Sequence, residues 1–156
     1  MFFKKQIRNV DFMNRLRREA ESVEHPELKS LIKQVAEGPA PAYYVEYVTA
    51  LKRVKEMRAG KYVPGKGLRG RMWREIAAKV DSLMARIPGL SLTGAVARVL
   101  IDENASSFFI SYPRALAIYM ECIGFYLPGA PRQETSQQKL ERLVQLTREK
   151  LNERLG

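Results

Sequence analysis

Apolar side chains recur at three- and four-residue steps through most of this chain, the spacing of helices that bury one face. Val10, Met13, Leu16, Ala20 and Val23 mark a first helix, which Pro26 closes while opening a second over Leu28, Leu31, Ile32 and Val35. Gly38-Pro39-Ala40-Pro41 interrupts the pattern, and an aromatic strip, Tyr43-Tyr44-Val45, follows it. A third helix then turns Val48, Leu51, Val54 and Met57 inward and ends at Ala59-Gly60, where glycine supplies the left-handed conformation that closes a helix. The same plan runs again. Trp73, Ile76, Val80, Leu83 and Ile87 predict a long helix stopped by Pro88-Gly89, and Leu92, Val96, Val99 and Leu100 a short one. Phe108-Phe109-Ile110 is a second strip, and Ser111 caps a last helix running from Pro113 to about Tyr126.

The recurrence extends to residue types. Sliding "GPAPAYYVEYVTALKRV" forward by 65 positions lays Ala40 on Ala105, Tyr43-Tyr44 on Phe108-Phe109, Val45 on Ile110 and Ala50-Leu51 on Ala115-Leu116. The earlier helices match only with a gap of a few residues. Two copies are too few for a solenoid, so the expected architecture is all-α: a bundle of about six or seven helices built from two pseudo-twofold-related three-helix repeats sharing one core. The repeat halves span about 1–60 and 68–126, a loop over 60–67 joins them, and one globular domain covers 1–133. Paired aromatics after small or proline residues let the chain cross close over a helix and drop its rings into the core.

Residues 134–156 are polar and favour helix, with Leu140, Leu143, Val144, Leu151 and Leu155 as a narrow apolar stripe. That stripe can dock on the body or serve as a seam for homo-oligomers or for another partner. At 156 residues and 46% apolar content, the chain suits one domain. It has no unbroken apolar run of 18 residues, and "MFFKKQ" offers no signal-peptide core, so a cytoplasmic protein without a membrane partner is expected. The lone cysteine, Cys122, lies in an apolar helical pattern and reads as a buried structural thiol.

Charge changes the picture because of where it falls. Residues 1–18 carry six Lys/Arg against Asp11, and residues 19–51 carry two against six acids. Residues 52–79 carry ten basic residues, Lys52, Arg53, Lys55, Arg58, Lys61, Lys66, Arg69, Arg71, Arg74 and Lys79, against Glu56 and Glu75, a net +8 of the chain's +10. A local field of that size attracts polyanions, nucleic acid first, and an anionic membrane or an acidic protein second. The second copy of the third helix, "YPRALAIYMECIGFY", has lost nearly all of this charge, as expected if only one half carries a binding surface.

Catalytic and metal chemistry find little support. His25 has no second histidine or nearby cysteine for a metal, and no triad partner. "GKYVPGKG" matches the first seven positions of a phosphate loop but places Gly67 where Ser or Thr should hold magnesium, and a helix rather than a strand precedes it. Glu37 and Asp102 occupy equivalent repeat positions, yet acids beside a helix break are ordinarily solvated end residues. No cofactor, metal or enzymatic role is expected.

The phrase Ala40-Pro41-Ala42-Tyr43-Tyr44-Val45, with its variant Ala105 to Ile110, resembles one in small basic helical bacterial proteins, often near mobile elements. It covers about a third of the chain, the second copy lacks the proline, and the resemblance implies a setting rather than an activity. The expected function is non-enzymatic nucleic-acid binding, DNA ahead of RNA, through the ten basic residues of 52–79. The alternative is a structural or adaptor protein, phage or mobile-element related, that meets an acidic protein and oligomerises through its C-terminal helix.

Overall fold

The helical period is realised in seven helices among the described residues: α1 (Phe2–Glu21), α2 (Leu28–Glu37), α3 (Tyr47–Arg58), α4 (Leu68–Arg86), α5 (Leu92–Asp102), α6 (Tyr112–Cys122) and α7 (Ser136–Leu155). These come from a computed structural model that describes residues 2–24, 27–123 and 136–155. His25, Pro26 and the expected end of the sixth helix near Tyr126 lie outside the described residues. The protein is all-α.

Local chemistry sets several boundaries. Ser91 accepts a hydrogen bond from the Gly94 amide and Ser111 one from the Arg114 amide, each capping the helix that follows. Gly60 (φ 73°) closes α3: its amide donates to Met57 O, and the Lys61 amide donates to Glu56 O. That pair of bonds is the Schellman arrangement, which requires a left-handed residue at this position. Two apolar positions depart from expectation. Val23 is exposed because α1 ends at Glu21, two residues before it. Val48 is 75% exposed. Ala50 and Val54 are the fully buried residues of α3, and Val48, two positions before Ala50, lies about 200° around the helix from it.

The core joins Phe12, Leu16, Ile32, Trp73, Ile76, Val80 and Ile118, all essentially inaccessible. In one half α1 packs on α2, as α4 packs on α5 in the other. Across the halves α2 meets α6 as α5 meets α3, and α1 meets α6 as α4 meets α3. Burial follows the same correspondence. Leu31, Ile32, Val35 and Ala36 on α2 are buried, as are Ala95, Val96, Val99 and Leu100, each 64 positions on; Ala50 and Val54 match Ala115 and Tyr119 at 65. α7 has no counterpart and packs on α1 and α2, burying Leu140 and Leu143 of its stripe.

The two aromatic strips meet at the centre. Ala40 and Ala105, 65 positions apart, exchange both backbone hydrogen bonds (3.0 and 2.9 Å). Tyr43 stacks on Phe109 (6.5 Å between centroids, 16° between planes) and Tyr44 on Phe108 (6.0 Å, 8°). Exchanging positions 65 apart turns one ring pair into the other. Tyr43 and Phe108 are buried, whereas Tyr44 and Phe109 are only half-buried, so the inner pair fills the core and the outer pair covers it. Phe109 adopts φ 54°, uncommon for a bulky residue. Ser107 holds it there, accepting from the Phe109 amide (3.0 Å) while donating to Ala36 O (3.1 Å).

Candidate nucleic-acid interface

The ten basic residues stand on α3, on the 59–67 connection and on α4, and the fold divides them into two sets. One set braces the unit. The Arg53 guanidinium lies 3.9 Å from the centre of the Tyr62 ring and 5.9 Å from that of Trp73, and Nη1 stands 3.9 Å from Glu56. Arg69 approaches the same indole, one helical turn along α4, at 5.7 Å. Trp73 is fully buried, so two cations flank a ring at the base of the connection. Arg74 donates through Nη1 to Pro64 O (3.1 Å) and Gly65 O (2.7 Å). A guanidinium is well suited to this because one planar group presents several donors to adjacent carbonyls.

The far end of the loop is seated against α4 at Gly70. A Cβ added there would stand 2.0 Å from Gly65 O, so only glycine permits the approach. The phosphate-loop-like segment is therefore a helix-to-helix connection resting on its own second helix.

Lys79 braces a different junction. Its ammonium donates to Asn104 O, lies 4.0 Å from Glu103 and sits 5.1 Å from the Tyr43 ring centre. One turn earlier, Glu75 accepts from Tyr43 Oη (2.6 Å) and from the Ser106 amide (3.1 Å). Burial pushes the Glu75 carboxyl up, but the hydrogen bonds from Ser106 and Tyr43 and the charge of Lys79 outweigh it and hold it below the usual carboxylate range. Burial, then the bond to Glu75, pushes the Tyr43 hydroxyl far above its ordinary value. Tyr44, bonded to Asp11 (2.6 Å), shifts the same way through burial and that carboxylate. Both tyrosine–carboxylate pairs tie a strip to a long helix, one to α4 and one to α1.

The other set faces solvent. Lys52 and Lys55 on α3, Lys61 and Lys66 on the loop and Arg71 on α4 are exposed and make no ion pair or hydrogen bond through their side chains among the described residues. Arg58 stands between the sets, paired with Asp81 at 2.6 Å but 45% exposed. Such a surface pair is worth about 0–1 kcal/mol and yields readily to another anion.

The sequence pattern thus located the basic unit and missed how it is partitioned. Glu75, Tyr62 and Trp73 drew no functional notice, although each decides where a cation goes. One signal was present: Gly70 within a helix, four residues before Arg74, is a costly residue unless another backbone approaches it closely. Glu37 and Asp102, the rejected acid pair, are exposed at the ends of α2 and α5. Among the described residues, no group of three or more His, Cys, Asp or Glu side chains is placed to hold a metal ion. Cys122 is half-buried, and burial raises its thiol pKa. No helix among the described residues is long and apolar enough to cross a membrane.

No family model, curated protein or solved structure matches the chain.

Proposed function

We propose that this chain is a non-enzymatic nucleic-acid-binding protein, with DNA ahead of RNA, and that α3, the 59–67 loop and α4 form its binding surface. The observation that carries the reading is the concentration of net +8 in residues 52–79, with Lys52, Lys55, Lys61, Lys66 and Arg71 exposed and unpaired among the described residues. Five like charges on one helix–loop–helix unit repel one another, a cost that a solvated surface avoids by interspersing acids and that a polyanion reverses. The bracing cations add to the field while fixing the shape that presents it.

Phosphate contact positions a protein without reading bases, so binding is expected to be sequence-tolerant and strongly salt-dependent. The test is fluorescence anisotropy with random duplex DNA, single-stranded DNA and RNA at about 50 and 200 mM salt, with polyglutamate standing in for an acidic protein. Duplex binding that weakens steeply between the two salts supports the proposal. No binding to any nucleic acid at the lower salt, or stronger binding to polyglutamate, overturns it and favours the adaptor reading.

A further inference from the structure

Residues Tyr62 to Lys66 present one apolar side chain that the fold leaves in solvent. Val63 is 84% exposed. Val48 and Ile101 are also exposed, but they stand on helix faces, where isolated aliphatic residues are ordinary. Val63 differs because the loop is fixed on both sides of it. Before it, Tyr62 lies under the Arg53 guanidinium; after it, Arg74 holds the Pro64 and Gly65 carbonyls, and Gly65 sits on Gly70. Lys61 and Lys66 flank this tip, both exposed. A tip held in place before a partner arrives loses little conformational entropy on binding.

We infer that Val63 is an apolar contact for the sugars and base edges of a duplex groove, set between two lysines that meet the adjoining phosphates. The inference rests on the nucleic-acid reading above. Groove walls and base edges offer apolar surface between charged rims, and groove-binding proteins use aliphatic side chains against it. An anionic lipid surface has related chemistry, but one valine buries far less than the acyl chain that alone gives only marginal membrane attachment. The duplex is therefore the better match to one small apolar tip among several lysines.

The two kinds of contact carry different signatures. Lysine–phosphate contacts release condensed counterions and set the salt slope; burial of a valine releases none and shifts affinity alike at every salt concentration. The experiment compares Val63→Thr, close in shape, with the Lys61→Gln/Lys66→Gln double variant, using a labelled random duplex over a salt series. Anionic vesicles of phosphatidylcholine and phosphatidylserine form a parallel arm. Val63→Thr should weaken duplex binding by roughly threefold to tenfold with an unchanged slope, while the double variant flattens the slope by about 2. An unchanged thermal midpoint for Val63→Thr shows that the loss is not one of folding. If Val63→Thr binds duplex as the parent does, or weakens only vesicle binding, the inference falls and the nucleic-acid reading stands. If the parent binds no nucleic acid, both fall.

Discussion

The third helix of each half begins with the same instruction and ends with a different surface. α3 buries Ala50 and Val54, and α6 buries their equivalents Ala115 and Tyr119. Around the rest of the helix the two part. Arg53 corresponds to Ile118, Lys55 to Met120 and Arg58 to Ile123, each 65 positions on. Ile118 and Ile123 are buried, whereas Arg53 lies over Tyr62 and Arg58 reaches Asp81. α6 packs on α1 and α2, and α7 packs on those same two helices, whereas among the described residues α3 meets α4 and α5 and no further helix packs closely on any of the three. The positions of the two helices that face the core are alike, and the face of α3 that stays partly wet carries cations where α6 carries apolar residues.

Exchanging side chains between the two helices should give very unequal costs. Ile118→Arg places a charge in a site only 1% exposed, and should cost at least about 3 to 5 kcal/mol or prevent folding. Arg53→Ile removes a half-exposed cation from Tyr62 and should cost under about 1.5 kcal/mol in urea unfolding. Similar costs for the two would mean that the halves do not differ in burial as described.

The aromatic strips come next. Phe108→Ala should cost about 3 to 5 kcal/mol through the cavity it leaves, since Phe108 is 4% exposed and also meets Phe12 edge-on at 5.7 Å. Phe109→Ala should cost less, roughly half as much, because its ring is partly solvated. Thermal unfolding of both variants checks the order, and a larger loss at Phe109 would reverse the assignment of inner and outer rings.

Much of the helical plan was legible because period and breakers act locally: Gly60, Pro88-Gly89 and Ser111 stop or start helices in the structure as their chemistry dictates. The inward face was less legible where it depends on a starting point. Val48 and Val23 keep an apolar period, but the core takes Ala50 in α3, and α1 stops at Glu21. Phe12, fully buried, was hidden beside Met13 because a helix can bury adjacent positions that a strict three–four spacing passes over. The left-handed Phe109 was harder to read: Ser107, two residues earlier, accepts from its amide, but the Ala36 carbonyl to which Ser107 donates lies 71 residues before Ser107. At the candidate interface, charge density is a sum over sequence and could be read directly. Whether a cation is free depends on carbonyls, rings and acids brought near by folding, as Arg74 and Lys79 illustrate.

The smallest effect on stability concerns pH and separates the two long helices. Glu75 on α4 has a folded-state pKa below its unfolded value, so its contribution is present above the unfolded pKa and is lost as pH falls through the folded one. Stability should therefore decline from about pH 5 downward, and Glu75→Gln should make that decline shallower by removing one proton-linked site. Chemical unfolding at pH 7, 5 and 3.5 reads the difference, and an unchanged acid profile would remove Glu75 as the link between α4 and the strips.

The proposal places phosphate contact on the exposed cations of α3, the 59–67 loop and α4 rather than on the chain's overall charge. The most direct measurement is the slope of log affinity against log salt for a random DNA duplex, compared between two triple variants. Replacing Lys52, Lys55 and Arg71 with glutamine should flatten the slope by about 2 to 3 while leaving unfolding within about 0.5 kcal/mol of the parent. Replacing Arg142, Arg148 and Arg154, which alternate with acids along α7, should change it by well under half as much. Equal flattening by both triples, or no duplex binding by the parent at about 50 mM salt, would contradict the account.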